Sequence, residues 1–165
     1  MVQFRVDDRA ALKAAIQQWF EPQHGLIDVW VFDTTTEDWQ KLLDFVSRQF
    51  QGLQYVVGSE PQELPSVVDE ILSLRPERST SLQIKIDGIA LNSYFFCREE
   101  IDFDLNPREV RQALALQHVL EFLRRLADLL NKEVVVTPEG GREFVIFRVR
   151  PGSDVLDYRL TAGAK

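Results

Sequence analysis

Three acidic residues at every second position, Glu100, Asp102 and Asp104, form the most distinctive local chemistry in the chain. Residues two apart on a strand share a face, so EIDFDL sets three carboxylates in one row. Each step of two spans about 6.5 Å. That is too wide for one strand to chelate a single ion, and no His or further carboxylate stands nearby to complete a shell. The row can instead meet a basic protein partner and steer its approach. The competing reading is a solvated strand face that discourages edge-to-edge pairing.

His118, Glu121 and Arg125 form a second grouping, on the narrow polar side of a helix. A carboxylate close to an imidazole is one ingredient of acid–base catalysis. With Tyr94, these are the first residues of an alternative reading, an enzyme or small-ligand-binding domain. No nucleophile or metal partner accompanies them. Ser93 lacks the G-x-S-x-G context. Gly140-Gly141 precedes a strand and has no following Lys-Ser/Thr, so it reads as a hairpin turn and not a phosphate loop. Cys97 alternates onto the face of Phe95, which predicts a buried, inert thiol. His24 lies in a Pro/Gly-bounded loop and adds nothing. No catalytic residue, metal ligand or cofactor is assigned. Trp30 and Trp39 read as core. Tyr94 and Phe96 share a strand face with Asn92 and Arg98 and are the candidate anchors of a binding surface.

The element that organises these residues is the stretch Asn106–Asn131. Asn106 caps it, Pro107 suits its first position, and Glu109 completes a variant capping box. Two apolar rows follow: Ala113, Leu116, Leu120, Leu123, Ala127, Leu130, and beside it Ala115, Val119, Phe122, Leu126, Leu129. Together they make one wide apolar face that must lie on a sheet or between layers.

The rest of the chain supplies that sheet. Val2, Phe4 and Val6 alternate as a short strand, and Asp7 or Asp8 caps a helix bearing Leu12, Ala15, Ile16, Trp19 and Phe20. LIDVWVF reads as a buried strand. Thr34 with Glu37 caps the next helix, and LQYVV follows as a strand; a parallel pairing of the two strands would be right-handed. Residues 58–80 read as an insertion with a short helix packed on the domain. Leu82 to Ile86, a turn at Asp87-Gly88, Ile89 to Arg98 and the acidic strand form an antiparallel meander. Strands EVVVT, EFVIFRV and a last one near Val155–Leu160 precede a frayed TAGAK tail. The expectation is a single α+β domain, 1–165, with a mixed, mainly antiparallel sheet and helices at about 8–20, 36–50 and 106–131.

Composition bounds the function. A net charge of −7 is concentrated in residues 1–80, with 7 basic and 13 acidic side chains against 12 and 13 in residues 81–165. That argues against nucleic acid or an anionic membrane, which need a basic footprint. No run of apolar residues is long enough to span a bilayer, and the first residues lack a secretory leader. The single cysteine fits a reducing compartment.

The stretch 119–139, VLEFLRRLADLLNKEVVVTPE, resembles a pattern in small bacterial proteins of unassigned function, some of which look like immunity proteins or accessory partners. The matching features are FLRRLADLL, the Asn-Lys break and VVVTPE, under a fifth of the chain. The resemblance carries over no catalytic residue. It implies a bacterial, cytoplasmic setting and a non-enzymatic role. The leading expectation is therefore an acidic protein-interaction module that uses Tyr94, Phe96, Glu100, Asp102 and Asp104 against one basic protein partner. A homo-oligomer built on an exposed sheet face is a further possibility.

Overall fold

A computed structural model describes residues 1–21 and 25–160; His24 and the TAGAK tail lie outside the described residues. The chain runs β1 (Val2–Arg5), α1 (Arg9–Trp19), β2 (Ile27–Phe32), α2 (Thr36–Gln49), β3 (Gln54–Val57), β4 (Glu60–Gln62), α3 (Val68–Leu72), β5 (Thr80–Ile86), β6 (Ile89–Ser93), β7 (Glu100–Leu105), α4 (Ala113–Leu130), β8 (Val134–Pro138), β9 (Phe147–Val149) and β10 (Val155–Tyr158). The ten strands form one sheet in the order β1-β10-β9-β8-β2-β7-β6-β5-β3-β4. This is an α+β fold in which the sheet dominates.

Every pairing is antiparallel. The expected mixed character is absent, because β2 gives both its edges to β7 and β8 and has none left for β3. Strands β2 and β3 run in the same direction, but β7, β6 and β5 stand between them. The Asp87-Gly88 turn closes β5 on β6 as expected, with φ of 49° and 80° at its two residues. Positive φ at both central positions matches the right-handed twist of the strands it joins.

Period-two alternation sends Ile27, Val29, Val31, Ile101, Phe103 and Leu105 to one face, where all six are buried. That face is covered by helices. Phe122 of α4 meets Phe103 edge-on at 6.1 Å, and Phe45 and Phe50 at α2 pack on the same ring. Both apolar rows of α4 are buried apart from half-buried Leu129. Each fully buried side chain of this kind contributes roughly 1.5–3 kcal/mol of transfer free energy. No helix among the described residues is long and apolar enough to cross a membrane.

Two caps differ from expectation. The stretch 106–131 is not one helix: Asn106 caps a 3-10 turn, Pro107–Glu109, and α4 begins only at Ala113. Glu109 does not close a capping box, because its Oε1 accepts from the Ala90 amide of β6 at 3.2 Å. Val110, 2% exposed, is drawn into the core where the two pieces join. The box on α2 sits one residue later than predicted. Thr35 Oγ1 accepts from the Asp38 amide at 3.2 Å, and Asp38 Oδ2 accepts from the Thr35 amide at 2.9 Å. Thr34 is buried instead and donates to the Arg98 carbonyl at 2.7 Å.

Candidate functional site

The helices leave the other face of the central strands open, and there the polar half of each alternation gathers. Antiparallel register sets Asp28 opposite Asp104, Trp30 opposite Asp102 and Phe32 opposite Glu100. The line through Asp28 runs across six strands. Gln54, Gln83, Asn92, Asp104, Asp28 and Thr137 are successive cross-strand partners. Gln83 Nε2 donates to Asn92 Oδ1 at 3.1 Å, and Asn92 Nδ2 donates to Asp104 Oδ1 at 3.2 Å. The Gly140 amide donates to Asp28 Oδ2 at 3.1 Å. Neutral donors thus orient Asp104 and Asp28 without cancelling their charge.

Asp102 sits in the middle of this group and is only 7% exposed. Among the described residues it has no ion pair and no other residue donates a hydrogen bond to its carboxylate, while Asp104, Asp28 and Glu100 surround it. Burial, then repulsion from those three acids, raises its pKa from 3.8 to about 7. Asp28 is raised as well, chiefly by burial and further by Asp104 and Glu139, against the Gly140 amide and Arg142. Burial and then the Asp104 carboxylate push the Tyr94 hydroxyl up to about 12. The centre of the open face therefore holds more negative charge than it neutralises.

Among the described residues, one cation reaches it from within the chain. Arg142 lies on residues 139–146, between β8 and β9. Its guanidinium sits 4.3 Å from the centroid of the Trp30 ring and 5.9 Å from that of Phe32. These two rings are stacked 5.9 Å apart and 10° from parallel. Nη1 and Nη2 donate to the two carboxylate oxygens of Glu100 at 2.6 and 2.9 Å. This is a planar fork on a planar acceptor above an aromatic platform. Trp30 Nε1 donates to Thr137 Oγ1 at 3.2 Å, which fixes the indole. Further along the same face the charges pair off: Arg148 and Arg150 both meet Glu133, at 2.7 and 3.5 Å, and Arg150 meets Asp157 at 2.9 Å.

The structure brings Tyr94, Glu100, Asp102 and Asp104 onto this face. Phe96 is 58% exposed and stacks on Tyr94 at 5.3 Å, with the Arg75 guanidinium 4.7 Å over its ring. The reading of the acidic row as a solvated strand face fails at Asp102 and Glu100, while Asp104 stays part-exposed. Strand β7 is the sixth of ten, Asp102 is buried and Glu100 is paired. Trp30 is not a core residue; Trp39 is. The strand expected over 89–98 ends at Ser93, because Phe95 adopts φ of 54° and turns its ring inward onto Trp39 at 5.0 Å. That turn breaks the alternation, so Cys97 is half-buried and not sealed beside Phe95.

His118, Glu121 and Arg125 are not gathered into one site. His118 Nδ1 meets Asp87 Oδ2 at 3.1 Å, and Glu121 accepts from Gln117 at 3.0 Å. Arg125 donates to Gln49 at 3.3 Å and lies 4.9 Å over the Phe45 ring. Sequence reasoning missed Asp28, Trp30, Phe32 and Arg142. The first three had a local signal: in IDVWVF the residues Asp28, Trp30 and Phe32 alternate with Ile27, Val29 and Val31. Arg142 had none. Among the described residues no group of three or more His, Cys, Asp or Glu is placed to hold a metal ion. No family model, curated protein or solved structure matches the chain.

Proposed function

We propose that the protein is a non-catalytic interaction module that binds one basic protein partner through the open face of its sheet, around Asp28, Asp102, Asp104, Trp30 and Tyr94. The observation that carries this reading is Asp102: a nine-tenths-buried carboxylate, without a cation of its own, among three other acids. A buried carboxylate without a cation is costly to ionise, and an incoming cation lowers that cost while the surrounding rings supply contact area. The pattern of paired charges beyond β8 supports the same reading, since the excess is confined to β2 and β7.

The resemblance to immunity-type and accessory proteins fits a module of this kind, and a bacterial, cytoplasmic setting belongs to the same proposal. The dispersal of His118, Glu121 and Arg125 leaves the small-ligand alternative without a gathered site. Binding of an arginine- and lysine-rich peptide tests the proposal. Replacing half-exposed Glu100 and Asp104 together by lysine is expected to weaken binding by about tenfold or more at low salt. Binding that is indifferent to this double substitution would remove the face from consideration.

A further inference from the structure

On the reading of the open face as the partner surface, we infer that the partner is recognised through an arginine, and that Arg142 is a displaceable internal occupant of the seat that arginine takes. The seat is defined by what Arg142 already does. Glu100 offers two oxygens in one plane, and Trp30 and Phe32 offer near-parallel rings beneath it. A guanidinium satisfies both at once, by a two-pronged hydrogen bond and by stacking. A lysine ammonium supplies only a point charge.

Arg142 is held lightly. Its side chain is 51% exposed, and among the described residues its side-chain hydrogen bonds go to Glu100 alone. It projects from residues outside regular structure, next to Gly140 and Gly141. The backbone of this segment is anchored independently of the guanidinium. Glu139 exchanges hydrogen bonds with Leu26, and the Gly140 amide donates to Asp28. The side chain can therefore swing away while the segment stays in place. A partner arginine entering from solvent would restore the Glu100 bonds. The chain's own cation thus acts as a competitor that raises the threshold for binding.

Binding of hexa-arginine and hexa-lysine to the full chain at low salt tests this. Arg142→Gln is expected to tighten hexa-arginine binding about tenfold, by removing the competitor. Arg111→Gln removes the same charge from outside the sheet face and is expected to change binding less than about twofold. Adding Glu100→Gln to Arg142→Gln is expected to abolish the gain. Equal gains from Arg142→Gln and Arg111→Gln would overturn the inference by reducing the effect to net charge. Unchanged or weaker binding by Arg142→Gln would overturn it while leaving the partner face standing. Equal affinity of the Arg142→Gln protein for the two peptides would overturn the preference for arginine. Binding of neither peptide by any variant would overturn both the inference and the proposed function.

Discussion

Trp30 and Asp102 stand directly opposite each other on β2 and β7, so a buried carboxylate shares its cross-strand position with an indole. The charged neighbours that act on it most strongly are other acids, Asp104, Asp28 and Glu100. This pairing gives the protein a pH dependence that can be signed in advance.

The folded state holds a proton on Asp102 up to about pH 7, whereas the unfolded chain releases it near 3.8. Between these values the folded state binds more protons, so stability falls as pH rises through that window. The contribution is fully present below the unfolded value and is lost above the folded one. Asp102→Asn carries no charge at any pH. It should remove the decline and stabilise the protein by on the order of 2–4 kcal/mol at pH above 7. Urea unfolding of both proteins across this range measures it; a wild-type stability that rises relative to the variant would contradict the assignment.

Glu100 and Arg142 should show measurable coupling, because bidentate bonding and ring stacking coincide. Half-exposed groups limit its size, so about 0.5–1.5 kcal/mol is expected from a double-mutant cycle of Glu100→Gln and Arg142→Gln. Raising the salt should shrink it. A coupling of zero at low salt would mean that the fork contributes no stability.

Core packing on α4 is the strongest test of the fold. Leu120 and Leu123 are 0% and 1% exposed. Substitution of either by alanine should cost on the order of 2–5 kcal/mol in chemical denaturation. Losses under about 0.5 kcal/mol at both sites would be incompatible with that burial.

The cap of α2 distinguishes two adjacent threonines. Thr35→Ala removes the side-chain acceptor for the Asp38 amide and should cost about 1 kcal/mol. Glu37→Gln, which the sequence alone marked as the box partner, should cost less than about 0.5 kcal/mol, since it touches only an exposed pair with Lys41 at 3.9 Å. The reverse order would move the cap back to Thr34.

How much of this was legible depended on the range of the signal. The two rows of α4 and the alternation of Glu100, Asp102 and Asp104 with Ile101, Phe103 and Leu105 are local periodicities, and both appear on the expected faces. The composition of the site is non-local. Asp28 meets Asp104 across 76 positions and Arg142 meets Glu100 across 42. No window of sequence contains either relation. The α+β class was readable because the central strands alternate and the helices carry stripes. The position of β7 in the middle of the sheet was not, since strand order is set by which edges remain free. Phe95 and Val110 broke a strand and a helix for a tertiary reason, the burial of one side chain, that no propensity encodes.

The strand order also sets a timetable. Strand β2 holds the middle of the sheet, yet its partners are β7 and β8, and among the described residues β1 pairs only with β10. Phe4 must wait for Leu156, which is 152 residues later and takes roughly 8–30 s at ordinary rates of synthesis. For roughly half of that interval, until β7 has been made, IDVWVF is an apolar strand with both edges unsatisfied. Folding is therefore expected to be slow for a chain of this size, and sensitive to anything that captures β2 before the acidic strand arrives.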